Sequence, residues 1–153
     1  MTRTRIVVGA VALAAASVAL TGCEKPNPIA TVYSGTSSEW REAACWSTSG
    51  AIDPNECAQQ VIAEAPSGPK LAQVPVVPGQ VVGISVDPVV ADKGWTPRVA
   101  GQPLTPTPLT GTYFRFTFPE FQEVPAEGLN MEIVAGSSDQ TSGLWIFQLV
   151  QAD

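Results

Sequence analysis

The chain contains no histidine. Without an imidazole, Ser-His-Asp and Cys-His catalysis, histidine-ligated zinc and the histidine-ligated blue-copper site are all excluded. Positive charge is also scarce, with 8 Lys and Arg against 14 Asp and Glu in 153 residues. Two of the cations, Arg3 and Arg5, fall in a segment that reads as a cleaved signal. The rest, Lys25, Arg41, Lys70, Lys93, Arg98 and Arg115, are scattered singly. A polyanion is held by clustered cations that release its counterions, so no nucleic-acid partner is expected. The same balance disfavours an electrostatic grip on anionic lipid. No apolar run reaches the roughly 18 residues of a spanning helix.

What is present begins with an address. Met1 to Arg5 is a short basic start, and Ile6 to Leu20 follows as 15 apolar or small residues without a charge. That is the layout of an export signal. It ends in Leu20-Thr21-Gly22-Cys23, which looks like a bacterial lipobox. In proteins with that motif the thiol takes a lipid and the chain is cut just before the cysteine. The alternative is an ordinary secretory signal with an incidental Cys23. The favoured division is residues 1–22 as a lipoprotein signal peptide, 23–28 as lipidated cysteine and short tether, and 29–153 as a single domain. Acyl chains, at about 0.8 kcal/mol per buried methylene, would hold the protein on the outer face of the cytoplasmic membrane.

Setting Cys23 aside leaves Cys45 and Cys57, an even pair in an exported chain, where thiols oxidise. A structural disulfide is expected between them.

After Glu24 to Pro28, a proline-stiffened tether reaching about 17 Å at most, Ile29 to Tyr33 reads as a strand closed by a turn at Gly35. Glu39 to Trp46 fits a strand or a short helix: Thr36 and Glu39 have capping-box spacing, yet Trp40 and Trp46 suit a pleated surface. Asp53 to Ala63 is the clearest helix, with Asp53 as cap, Pro54 at the first position and Cys57 in the first turn. Beyond the loop at Ala65 to Pro69, short strands alternate with turn signals. These are Leu71 to Val77, Gln80 to Asp87, Trp95 to Ala100, Tyr113 to Phe118, a stretch through Leu129, Met131 and Ile133, and Leu144 to Val150. Asp87-Pro88 opens a loop, and Pro103 to Pro108 belongs at an edge or in a loop. Leu144 to Val150 is apolar on both faces, as a doubly covered central strand would be. The expected fold is mainly β, an immunoglobulin-like β-sandwich with a short disulfide-linked N-terminal helix.

Cys23-Glu24-Lys25-Pro26, Val86-Asp87-Pro88 with Ala91-Asp92-Lys93-Gly94-Trp95, and Ser142-Gly143-Leu144-Trp145 together resemble a family of small actinobacterial envelope lipoproteins known only as a domain of unknown function. The resemblance spans most of the mature chain and departs at Pro103 to Pro108. It implies an envelope lipoprotein of high-GC Gram-positive bacteria and carries over no catalytic residue.

The candidate sites are few. Glu120, Glu123 and Glu127 could offer oxygen ligands to calcium, but without a ligand loop they read as a solvated acidic segment. Asp87 and Asp92 could in principle act as paired carboxylates; Asp87 reads better as a turn former, its side chain shaping the turn and Pro88 fixing the backbone. Tyr33, Trp40 and Trp46 form the candidate binding surface, against the alternative that the tryptophans pack over the disulfide. Trp95 and Trp145 belong in the core. No catalytic residue, metal or cofactor is called for. The leading expectation is a non-catalytic lipoprotein, anchored to the membrane by its lipid, that binds a membrane or envelope protein. A carrier or sensor of a small ligand is the alternative, and an enzyme is the least favoured.

Overall fold

The computed structural model describes residues 25–64, 71–120, 123–137 and 139–152. The signal peptide, Cys23 and the loop at Ala65 to Pro69 lie outside them. The chain is mainly β, with two sheets. Among the described residues no helix is long and apolar enough to cross a membrane.

The first sheet has the order β2-β1-β5-β8, built from β1 (Ile29–Ser34), β2 (Ser37–Glu42), β5 (Val81–Val86) and β8 (Tyr113–Thr117), all antiparallel. The β1–β2 hairpin has only Gly35 and Thr36 between paired Ser34 and Ser37. Gly35 takes the positive φ, +57°, that such a loop requires at its first position. The segment Glu39 to Trp46 is therefore extended, with the spacing of Thr36 and Glu39 spent on this turn and on pairing with β1. It is also divided: after Glu42 the chain crosses to the other sheet, where β3 (Cys45–Trp46) pairs with Leu144 and Gly143.

The second sheet is organised around β10 (Gln140–Gln151), flanked by β9 (Leu129–Ser137) and β3, and continuing through β6 (Trp95–Val99) to β7 (Gln102–Pro103). β4 (Ala72–Val76) joins β10 in parallel, next to its Phe147–Gln151 half. Period-2 alternation splits β10 between two cores. Trp145, Phe147 and Leu149 face the first sheet, against Val32, Val82 and Ile84. Leu144 and Ile146 face outward with Val134, under α1 (Pro54–Glu64). The layers run sheet, sheet, helix. β10 is thus apolar on both faces because both are covered.

Helix α1 starts where its sequence says it should. The carboxylate of Asp53 accepts the backbone N–H of Asn55 at 2.8 Å and of Glu56 at 3.1 Å, and Pro54 follows at the first position. Cys57 in the first turn is bridged to Cys45, with Cα atoms 6.3 Å apart, so α1 is fastened to β3 and through it to β10.

One expected loop is a helix. Pro88–Lys93 forms α2, with Pro88 at its start and Gly94, φ +77°, at its end. The backbone carbonyl of Asp87 accepts the N–H of Val90 and Ala91, while its side chain makes no cap. Its carboxylate instead accepts the N–H of Ile29 at 2.8 Å. The side chain expected to shape a local turn therefore ties the start of β1 to the end of β5. A proline after an acid signals a helix start as readily as a turn, and the apolar Val89, Val90 and Ala91 supply the packing that decides it.

Candidate functional site

Alternation in the first sheet sends Ala30, Val32, Val82, Ile84 and Val86 into the core and leaves the opposite face to solvent. Pairing registers assemble that outer face in rows. One row runs Trp40, Thr31, Ser85, Tyr113, and the next runs Ser38, Tyr33, Gly83, Arg115. Trp40 is 58% exposed and Tyr113 50%, the two largest values among the exposed apolar and aromatic side chains. Tyr33 lies across Gly83, where an added Cβ would run into its ring. The rings of Tyr33 and Tyr113 are near-parallel, 6° apart in plane with centroids 6.2 Å apart.

Burial pushes the Tyr33 hydroxyl up to about 12 from its ordinary 10, helped by its hydrogen bond and charge interaction with Tyr113; Arg115 opposes this. The phenol therefore keeps its proton to higher pH than a free tyrosine. The face combines three aromatic rings with the small polar side chains of Thr31, Ser38 and Ser85.

Of the three residues expected to form a surface, the structure brings Tyr33 and Trp40 together and separates Trp46. Trp46 stands in the other sheet, half-buried, its ring 5.9 Å from that of Trp145 and laid against Gly143. The Lys93 ammonium sits 5.5 Å from its centroid. It closes one end of the core beside the disulfide. Tyr113 is the member that sequence reading missed. In β8 it alternates with Phe114 and Phe116 and shares a face with Arg115 and Thr117, and a large aromatic on that polar side was the available signal.

The remaining candidates do not converge on a site. Glu120, Glu123 and Glu127 are exposed. The Asp87 carboxylate is engaged by Ile29. Ser67 and Lys70 do have the spacing of a Ser-Lys nucleophile pair, and both lie outside the described residues. A hollow of about 340 Å³ lined by Thr48, Ser49, Lys93, Gly136, Ser137 and Gln140 is polar. Trp95, Trp145, Phe118, Phe147 and Met131 fill the space between the sheets. No protein-family model, no curated protein and no solved structure matches the chain.

Proposed function

We propose that this protein is an exported lipoprotein, held by Cys23 on the outer face of the cytoplasmic membrane. It acts by binding rather than catalysis, presenting the outer face of the β2-β1-β5-β8 sheet to a membrane or envelope protein. The observation that carries this reading is the placement of exposed Trp40 and Tyr113, on opposite edge strands, in one row of a sheet face that is uncovered among the described residues, with Tyr33 in the next row. Solvent-facing aromatic side chains are the residues most often found as anchors of protein interfaces. The side-chain-filled interior favours surface recognition over carriage of a small ligand between the sheets.

The start of the domain supports a position close to the bilayer. Pro28 is buried, and its carbonyl accepts both the Trp145 indole N–H at 3.0 Å and the Ala43 N–H at 2.9 Å. Only four residues then separate the lipidated Cys23 from a fixed point, five chain steps that reach about 17 Å. In this reading that end of the domain faces the membrane, and Trp40 lies opposite Thr31, three residues beyond Pro28. The disulfide agrees with an oxidising, extracytoplasmic address.

The test has two arms. Cys23→Ser should leave the protein uncleaved or release it from membranes; a mature-sized, membrane-bound Cys23→Ser protein would overturn the anchor. A photo-cross-linking residue at Ser38, in intact cells, should capture an envelope protein, and Trp40→Ala should cut that capture at least fivefold with the melting temperature unchanged. Capture that ignores Trp40→Ala, or occurs only from the exposed side of α1, would overturn the binding face.

A further inference from the structure

Strand β8 is one edge of the first sheet. The direction of its backbone groups follows from its two ends. The N–H of Val86 donates to the carbonyl of Thr112, and the N–H of Phe118 donates to the carbonyl of Gln80. In an antiparallel ladder the bonded pairs recur every second residue. Thr112, Phe114, Phe116 and Phe118 therefore bond inward to β5, and Tyr113, Arg115 and Thr117 turn their N–H and C=O groups away from the sheet. All three are exposed. Of the usual edge protections the strand has a single charge, Arg115, and no proline, no lysine and no bulge. Its sequence, Tyr-Phe-Arg-Phe-Thr, has high strand propensity throughout.

The charge on this edge selects the occupant. Arg115 projects on the outer face, and no carboxylate stands in its row or in the two neighbouring rows. In a chain of formal net charge −6 this is a local excess of positive charge. A second copy of β8 paired antiparallel about Arg115 would set one guanidinium against another, which is destabilising. An acidic side chain in that place would be directly opposite Arg115 and attracted to it.

We infer that the β8 edge receives an extended acidic segment of a protein partner as a fifth, antiparallel strand of the sheet. Tyr113, Arg115 and Thr117 supply the backbone ladder, and Arg115 selects a carboxylate opposite it. Strand addition of this kind takes affinity from main-chain bonds and selectivity from alternate side chains. The inference rests on the reading that the domain acts by binding, and it names the chemistry of the partner.

The probe is a fluorescent, end-capped heptapeptide Thr-Glu-Val-Glu-Val-Glu-Thr, added to the full chain held in detergent and followed by anisotropy and backbone amide exchange. The expected result is selective slowing of exchange at Tyr113, Arg115 and Thr117. Affinity should be roughly fivefold above that of the same peptide with Lys for Glu, and Arg115→Glu should reverse the preference. Methylating the Glu amide nitrogens should abolish binding, because those N–H groups face β8, and a one-residue slip to present the others would turn every Glu to the wrong face. No protection at the three amides, equal affinity for both peptides, or binding that survives methylation would overturn the proposal. Protection that grows with protein concentration without peptide would assign the edge to a second copy instead. Trp40→Ala keeps the two readings apart: peptide failure with Trp40-dependent capture intact sinks only the edge, and loss of both sinks the binding function.

Discussion

Tyr33 and Gly83 face each other across the β1–β5 ladder, and the Tyr33 ring occupies the space that any side chain at position 83 would need. A glycine inside a strand is ordinarily a weakness, because it packs nothing and has more freedom to lose on folding. Here the ring covers it and in return lies against the sheet, beside Tyr113. Gly83→Ala should lift Tyr33 off the sheet at a stability change within about 1 kcal/mol, since the ring tip moves into solvent rather than into a core. The Tyr33 hydroxyl should then titrate closer to 10. Phenolate absorbance checks this; an unchanged titration would mean that the ring does not depend on the glycine.

The same pair predicts a pH dependence. Folding raises the Tyr33 pKa from 10 to about 12, so the fold favours the neutral phenol. The associated stability is complete below pH 10 and is lost as the pH rises through about 12. The urea midpoint should hold steady through neutral pH and fall between those values. Tyr113→Phe removes the hydrogen bond and the like-charge interaction and leaves burial, so the fall should become smaller and Tyr33, then the sole tyrosine, should titrate lower.

The disulfide closes a separation of 12 residues and fastens α1 over Leu144 and Ile146. Cys57→Ala should lower stability by about 2 to 4 kcal/mol on the chain-entropy account. Mass analysis after alkylation of unreduced protein should find neither thiol labelled. Labelling at both positions would contradict the bridge.

How far the sequence foretold these features depended on the range of the signal. The strands β1, β4, β5, β6, β8, β9 and β10, α1 with its Asp53 cap, and the bridge were legible because period-2 alternation, capping chemistry and cysteine counting act within a few residues, whereas the two-residue β7 was read as a turn. The strand-or-helix choice at Glu39 to Trp46 was not legible locally. It was settled by where that segment pairs, β2 with β1 and β3 with β10, and the crossing between sheets is what parts Trp40 from Trp46. Tyr113 joined the site for the same reason: its place beside Tyr33 comes from both flanking β5, about 80 residues from one another in sequence. The α2 helix was hidden because Asp-Pro serves turns and helix starts alike.

Asp87 offers the sharpest check on how the start of the first strand is held. Its backbone N–H donates to the Ile29 carbonyl at 3.1 Å and its carboxylate accepts the Ile29 N–H at 2.8 Å, so one residue brackets the first residue of β1. The next residue back, Pro28, is fixed by Trp145 and Ala43. Removing the carboxylate leaves the Ile29 N–H without that partner at a half-buried position, which costs about 1 to 3 kcal/mol. Asp87→Ala should therefore lower the urea midpoint and speed amide exchange at Ile29 while Val32, fully buried in mid-strand, stays protected. Asp87→Asn keeps an oxygen in the same place without the charge and should fall between wild type and Asp87→Ala. If both substitutions leave exchange at Ile29 unchanged, the start of β1 is held by the Pro28 contacts alone, and the Asp87 carboxylate has no part in fixing it.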